Sequence, residues 1–341
     1  MNIKERIRGA IIGLACGDAL GAPVEFMGQS DIVARYGPQG ITELGTSYGV
    51  EGAYTDDTQM SLATALGVLK ARAQDAAYQG RGAVDPTPYI YAEYVTWMVT
   101  QTVDEGARRA AGGTCTAALL SGTAGHWAAP LNNSKGCGGV MRVAPIGLVY
   151  PRHKAWSYGR ASAALTHGHE GGFLPAGVLA VMLCHILSKA DAPIYSGAAA
   201  PVLPDALTVG LAVMEKFSKA SQYRDSLVMR LKEAQERAQR FEGIGWSDEA
   251  NMRRLGAGWA GDEALAMAYY CALRWPEDPR KAIQSAVHLS GDRDSVGSIC
   301  GALMGALCGV EAIPSSWREK VENRSKLEKV ADELHRVTLL P

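Results

Sequence analysis

Apolar residues recur at three-to-four spacing along most of the chain, in stretches rich in Ala, Leu and Met. That period puts apolar side chains on one face of a helix, and nowhere does a two-residue alternation assign a strand. The pattern predicts an all-α fold, with helices at about 3–20, 56–75, 88–101, 104–122, 138–149, 156–166, 173–190, 205–239, 260–274, 278–289, 293–309 and 318–338. Residues 32–50 and 189–204 carry Gly, Pro and Ser without periodicity, and neither shows a composition change on both sides, as a linker would. One compact helical domain over residues 1–341 is therefore expected. Gly13, Gly17 and Gly21 lie four apart, as do Gly297, Gly301, Gly305 and Gly309, a spacing that lets two helices approach closely.

Charge excludes several functions. The 34 basic and 35 acidic residues leave a net charge of -1, so no global field draws nucleic acid or anionic lipid to the protein. With 47% apolar and 20% charged residues the chain is not disordered. No uninterrupted apolar window of membrane-spanning length occurs, and the first residues carry both charge signs without a signal-peptide pattern, so a cytoplasmic protein is expected. Seven scattered cysteines without a C-x-x-C pair read as reduced core residues.

Two acidic stretches open apolar helical patterns. Thr55-Asp56-Asp57-Thr58 precedes Met60, Leu62, Leu66 and Leu69, and Ser290-Gly291-Asp292-Arg293-Asp294-Ser295 precedes Val296, Ile299, Cys300 and Leu303. Helix capping accounts for one hydroxyl or carboxylate at each. Adjacent carboxylates exceed what a cap needs and repel unless a cation screens them. Should the two stretches meet across the 235 positions between Asp57 and Asp292, their oxygen donors suit one or two hard cations, Mg2+ or Mn2+, over zinc or copper. The turn Ser134-Lys135-Gly136-Cys137-Gly138-Gly139-Val140-Met141-Arg142 either cradles phosphate with its N–H groups or joins two helices, and it is neither a Walker nor a dinucleotide sequence. Thr166-His167-Gly168-His169 offers ligand hydrogen bonds or a helix C-cap, and is not an H-E-x-x-H zinc sequence. Glu25, at the end of the first helix, carries no signal alone.

In chain order these stretches resemble the ADP-ribosylglycohydrolase family, closest to its bacterial dinitrogenase reductase-activating branch. The likeness runs almost end to end, through Arg8-Gly9-Ala10, Gly17-Asp18-Ala19-Leu20-Gly21, Glu25, Thr55 to Thr58, Gly136 to Pro145, Thr166 to His169, Gly258-Trp259 with Glu263-Ala264-Leu265, and Gly291 to Ser295. The resemblance implies an orthogonal multi-helix bundle with two divalent cations in a cleft, removing ADP-ribose from modified protein side chains, with arginine-linked substrates preferred. It implies Thr55, Asp56, Asp57, Asp292, Asp294 and Ser295 as metal ligands and Glu25, Asp56 and Asp292 as catalytic residues. It places Gly136, Cys137, Gly138, Gly139, Met141 and His167 against the ligand. Arg293 stands where a small residue is usual, and Lys135 where Asn often precedes the glycine turn. Three other readings stay open at this point: an ADP-ribose-binding protein, a protein that blocks an ADP-ribosyltransferase partner, and a binuclear-metal phosphohydrolase.

Overall fold

The computed structural model describes residues 2–77, 84–189, 201–240, 249–288 and 291–338. Among these residues there are sixteen α-helices: α1 (Ile3–Gly21), α2 (Gln29–Tyr36), α3 (Asp56–Ala77), α4 (Thr87–Val103), α5 (Gly113–Leu120), α6 (Ala144–Val149), α7 (Arg152–Ala164), α8 (Glu170–Ser188), α9 (Val202–Phe217), α10 (Gln222–Arg240), α11 (Glu249–Leu255), α12 (Gly261–Arg274), α13 (Pro279–Val287), α14 (Arg293–Cys308), α15 (Ser315–Lys320) and α16 (Arg324–Thr338). The sheet content among them is one hairpin, β1 (Thr46–Ser47) against β2 (Val50–Glu51). The all-α expectation holds, and the differences lie in where helices break.

Four expected helices are interrupted, each for a local reason. The stretch 104–122 opens with a short 3-10 turn in which the Asp104 carboxylate accepts the Gly106 N–H at 2.9 Å, then passes through Ala110 at φ 58, and becomes helical only at Gly113. The stretch 138–149 starts as the 3-10 turn Cys137–Gly139, and α6 begins at Ala144 because Pro145, lacking an N–H, fits only a first turn. In 205–239 the chain leaves the helix at Ser218, and the Ser221 hydroxyl accepts the Arg224 N–H at 3.1 Å to start α10. Asn323 at φ 55 divides 318–338 into α15 and α16. Helices α2 and α11 were not expected, and α2 takes up part of the 32–50 stretch read as loop. Most of the 189–204 stretch, and Ser290, lie outside the described residues.

Helix α8 is apolar on every side, and 16 of its residues are buried. It is long and apolar enough to cross a membrane by composition alone, yet 89% of its most apolar window is covered by protein, the signature of a helix at the centre of a core. Around it a continuous apolar cluster draws residues from helices at both ends of the chain, including Trp156, Tyr269 and Trp317.

The contact that positions the site is the antiparallel pairing of α1 with α14. The glycines predicted to permit close approach face one another: a Cβ on Gly9 would lie 2.3 Å from the Gly305 carbonyl oxygen, one on Gly13 2.4 Å from that of Gly301, and one on Gly17 2.0 Å from that of Gly297. At the end of the seam a Cβ on Gly21 would meet the Asp294 Cα at 2.5 Å. Two backbones in contact along four turns bring the C-terminal end of α1 beside the N-terminal end of α14. Asp18 is thereby brought within charge range of Asp294.

Candidate functional site

Asp18, buried on α1, organises the start of α3. One of its carboxylate oxygens accepts the Thr55 N–H at 2.8 Å, and the other accepts the Thr58 N–H at 2.9 Å and the Thr58 hydroxyl at 2.6 Å. A helix N-terminus needs acceptors for its free N–H groups, and here a neighbouring helix supplies one. Capping is shared between the Thr55 hydroxyl, which accepts the Asp57 N–H at 3.4 Å, and Asp18, so the Asp56 and Asp57 carboxylates both line the cleft. The Asp56 carboxylate accepts the Gly112 N–H at 3.1 Å while its own N–H donates to the Arg109 carbonyl at 3.0 Å, so the 109–112 chain is clipped to the acidic turn. Arg109 anchors that chain through two 3.2 Å hydrogen bonds to Glu322.

At the start of α14 capping is part of the account. The Ser295 N–H donates to Asp292 at 3.3 Å and to Asp294 at 2.9 Å, while the second Asp292 oxygen accepts the Cys137 thiol at 2.8 Å. Arg293, between the two aspartates, points away from them. Its buried guanidinium donates to the carbonyls of Val287 and Met27, both at 3.2 Å, which ties the chain just after Glu25 to the helix start. It thus holds the Glu25 segment in place and takes no part in the acidic cluster.

The two acidic stretches meet. Carboxylate oxygens of Glu25, Asp292 and Asp294 lie within 4.8 Å of one another, and Asp56, Asp57 and Ser295 line the same cleft of about 270 Å³. Gly136, Cys137, Gly138, Met141 and His167 line the same cleft, and Cys137 and Met141 touch the acidic side through Asp292 and Ser295. Thr55 lies one step behind the lining, its hydroxyl donating to Asp57 at 3.3 Å. Gly139 is a correction: a Cβ there would meet Ala163 at 2.6 Å, so this glycine serves the packing of the turn against α7 and does not line the cleft. Cys137 also departs from the reading of the cysteines as core residues, since its thiol borders the acidic cluster. His169 caps the start of α8, accepting the Gly171 N–H at 2.9 Å, where a C-cap was the alternative considered.

The acidic side of the cleft concentrates like charges. Among the described residues no basic side chain pairs with Asp56, Asp57, Asp292 or Asp294, and one oxygen each of Asp57 and Glu25 is buried without a hydrogen-bond partner. Burial and then the charges of Asp294 and Asp292 push Glu25 up to about 10. Burial, opposed by the Gly112 N–H and reinforced by Asp294, brings Asp56 to about 8, and burial with neighbouring carboxylates holds Asp57 and Asp292 well above the ordinary carboxylate range. Crowded carboxylates with free lone pairs, hydroxyls beside them and no soft ligand except one thiol fit hard divalent cations.

With this geometry in view, comparison with known proteins decides the family. The model of the ADP-ribosylglycohydrolase family matches residues 1–340. The chain belongs to the ADP-ribosylglycohydrolase family. It is 30% identical to mouse ADP-ribosylhydrolase ARH3, covering 97% of this chain and 91% of that protein. It is 27% identical to the ADP-ribosyl-[dinitrogen reductase] glycohydrolase of Rhodospirillum rubrum, covering 96% and 94%. A solved structure described as an ADP-ribosylglycohydrolase-related protein complex superposes with a TM-score of 0.68 at 27% identity, covering 99% of both chains. The all-α bundle is thus shared with this solved ADP-ribosylglycohydrolase-related protein.

Sequence reasoning missed three parts of the site. Asp18 stood inside the resemblance without a role, because its partners are 37 to 40 positions away. The wall formed by Gly112, Gly113, Thr114 and Cys115 was hidden by the expectation of an unbroken 104–122 helix, although the Gly112-Gly113 pair was a visible breaker. Trp259, half-exposed on the cleft, was quoted as a motif residue only.

Proposed function

We propose that this family member is a hydrolase that releases ADP-ribose from modified protein side chains, ADP-ribosylarginine in particular, with two divalent cations, Mg2+ or Mn2+, as cofactors. The observation that carries this reading is the convergence on one cleft, beside a glycine turn, of five carboxylates with no basic partner among the described residues, Glu25, Asp56, Asp57, Asp292 and Asp294. Thr55, Asp56, Asp57, Asp292, Asp294 and Ser295 would hold the cations. When bound, such ions supply Lewis-acid polarisation and lower the pKa of a held water.

The chain's own groups do the rest. Cleaving an N-glycosidic bond builds positive charge at the anomeric carbon, and the buried carboxylates oppose that charge in a site of low dielectric. Glu25, Asp56 and Asp292 are placed to hold or move protons at the water and the leaving group. Gly136 and Gly138 let the turn pack closely on His167, and Gly136, Cys137, Gly138, Met141 and His167, which line the cleft, would contact the ADP-ribosyl group. Arginine is the preferred linkage because a guanidine departs readily once protonated and because the bacterial branch that the motifs resemble acts on it.

The test incubates an ADP-ribosylarginine protein and Mg2+ with wild type, Asp57→Ala and Asp294→Ala, and follows released ADP-ribose. Both variants are expected to lose on the order of 10³-fold in rate, as when a principal electrostatic group is removed. Equal release by all three rejects the site, tight ADP-ribose binding without release makes the protein a binding module, and phosphate release from nucleotides makes it a phosphohydrolase.

A further inference from the structure

Behind the glycine turn lies a buried cation that the acidic chemistry does not use. Arg142 is fully buried, and among the described residues no carboxylate pairs with it. Its guanidinium stacks on the Tyr94 ring, 4.2 Å from the centroid, and contacts the sulfurs of Met60 and Cys115 at 3.5 and 3.4 Å. Its other nitrogen donates to the Ser162 carbonyl at 3.2 Å and to the Thr166 hydroxyl at 2.7 Å. That hydroxyl lies 2.8 Å from His167 Nδ1.

Donor chemistry fixes one end of this chain of hydrogen bonds: a guanidinium has no acceptor, so Thr166 accepts from Arg142. The hydroxyl keeps its proton and a second lone pair, so His167 Nδ1 either accepts from it or donates to it. The Nε2 edge on the cleft favours the first arrangement, because an Nδ1–H ring would turn a lone pair toward an anionic ligand. An imidazole whose Nδ1 accepts carries its proton on Nε2 when neutral. Burial, and then the charge of Arg142, lower His167 to about 3, which keeps the ring neutral. The Nε2 edge faces the glycine turn: a Cβ on Gly136 or Gly138 would lie 3.2 Å from Nε2, and His167 is part of the cleft lining.

We infer that Arg142 and Thr166 are positioning residues that lock His167 as an Nε2–H donor aimed at an oxygen of an anionic ligand in the cleft. The inference rests on the proposed reading only for the identity of that ligand, an ADP-ribosyl group. The arrangement delivers the influence of a buried cation to the cleft through a hydroxyl and a neutral ring, without a flexible ammonium that would compete with cations for the aspartates. His167 on this account binds and does not shuttle protons.

The tautomer is measurable without turnover. Long-range ¹H–¹⁵N spectra of the ligand-free full chain, with His167 assigned by comparison with His167→Gln, are expected to show a protonated Nε2 and an unprotonated Nδ1 at pH 7. An Nδ1–H tautomer in wild type overturns the inference whatever the enzyme does. Thr166→Val removes the hydroxyl at nearly constant shape, and is expected to disturb that tautomer and to weaken ADP-ribose binding about tenfold, the size of one charge-assisted hydrogen bond. Where release is measurable, the loss falls on KM and not on kcat. Thr166→Ser is expected to restore both the spectrum and the affinity. Unchanged affinity in Thr166→Val, or failure of the serine variant to rescue with its melting temperature intact, also overturns it.

Discussion

The two sides of the cleft are built on opposite electrostatic plans. The acidic floor gathers Asp56, Asp57, Asp292 and Asp294 with no basic partner among the described residues. The wall beside the glycine turn is backed by Arg142, a buried cation with no carboxylate partner among the described residues. Burying unpaired charge is costly, and replacing it by apolar groups would commonly stabilise a protein. On the function proposed above, each side would take its compensating charge from what binds, cations at the carboxylates and an anionic group near His167, and the two sides touch where the Cys137 thiol meets Asp292 at 2.8 Å. The sides also differ in construction. The floor joins three helix ends across the whole chain, whereas most of the wall comes from 112–115, 134–142 and 162–172, closer in sequence, with Trp259 added from farther along.

That difference can be broken most strongly at the seam. Gly17→Ala would drive a Cβ to 2.0 Å from the Gly297 carbonyl oxygen and force α1 from α14. A loss of about 3 kcal/mol is expected in urea unfolding, the upper range for overpacking, together with loss of cation binding, while the His167 ring spectrum stays native. A variant as stable as wild type would show that the seam does not deliver the floor.

A smaller effect separates the sides by ligand type. In metal-free buffer, adding Mg2+ to about 100 times its dissociation constant is expected to stabilise wild type by about 2.7 kcal/mol, or about 4 °C in melting temperature for a chain of this size. Asp57→Asn should lose this rise and His167→Asn keep it. A rise retained by Asp57→Asn would remove Asp57 from the cation site.

The most gradual effect, read as a slope per pH unit, concerns acid. The neutral native state of His167, lowered to about 3 against an ordinary 6.5, contributes stability that is fully present above about pH 6.5 and is lost as pH falls toward 3. The slope from this one group is at most about 1.4 kcal/mol per pH unit. His167→Asn should flatten the acid limb of the stability profile by that amount, and an unchanged limb would mean that the ring is protonated in the native protein.

How much of this was legible beforehand differs between fold and site. Periodicity identified α1, α3, α8, α12 and α14 to within a few residues, because a buried helical face writes its spacing into the sequence. It failed at 104–122 and 205–239, where a side-chain cap or a left-handed residue ends a helix whose apolar pattern continues. The acidic turns, the glycine turn and His167 were visible as unusual local chemistry. Gly139 was misplaced, since neighbouring residues in a 3-10 turn face different ways and only the surrounding helices show which one meets the cleft.

The order of residues alone determined the helical class, the donor types at each turn and the glycine spacing, all properties set within a few positions by backbone period and side-chain chemistry. Tertiary packing decided what those pieces do together. Asp18 caps a helix other than its own, Arg293 turns away from the aspartates, and Arg142 reaches His167 through Thr166. Each of these contacts depends on which helix faces come to share the same few ångströms, and such a match has no local period from which it could be read.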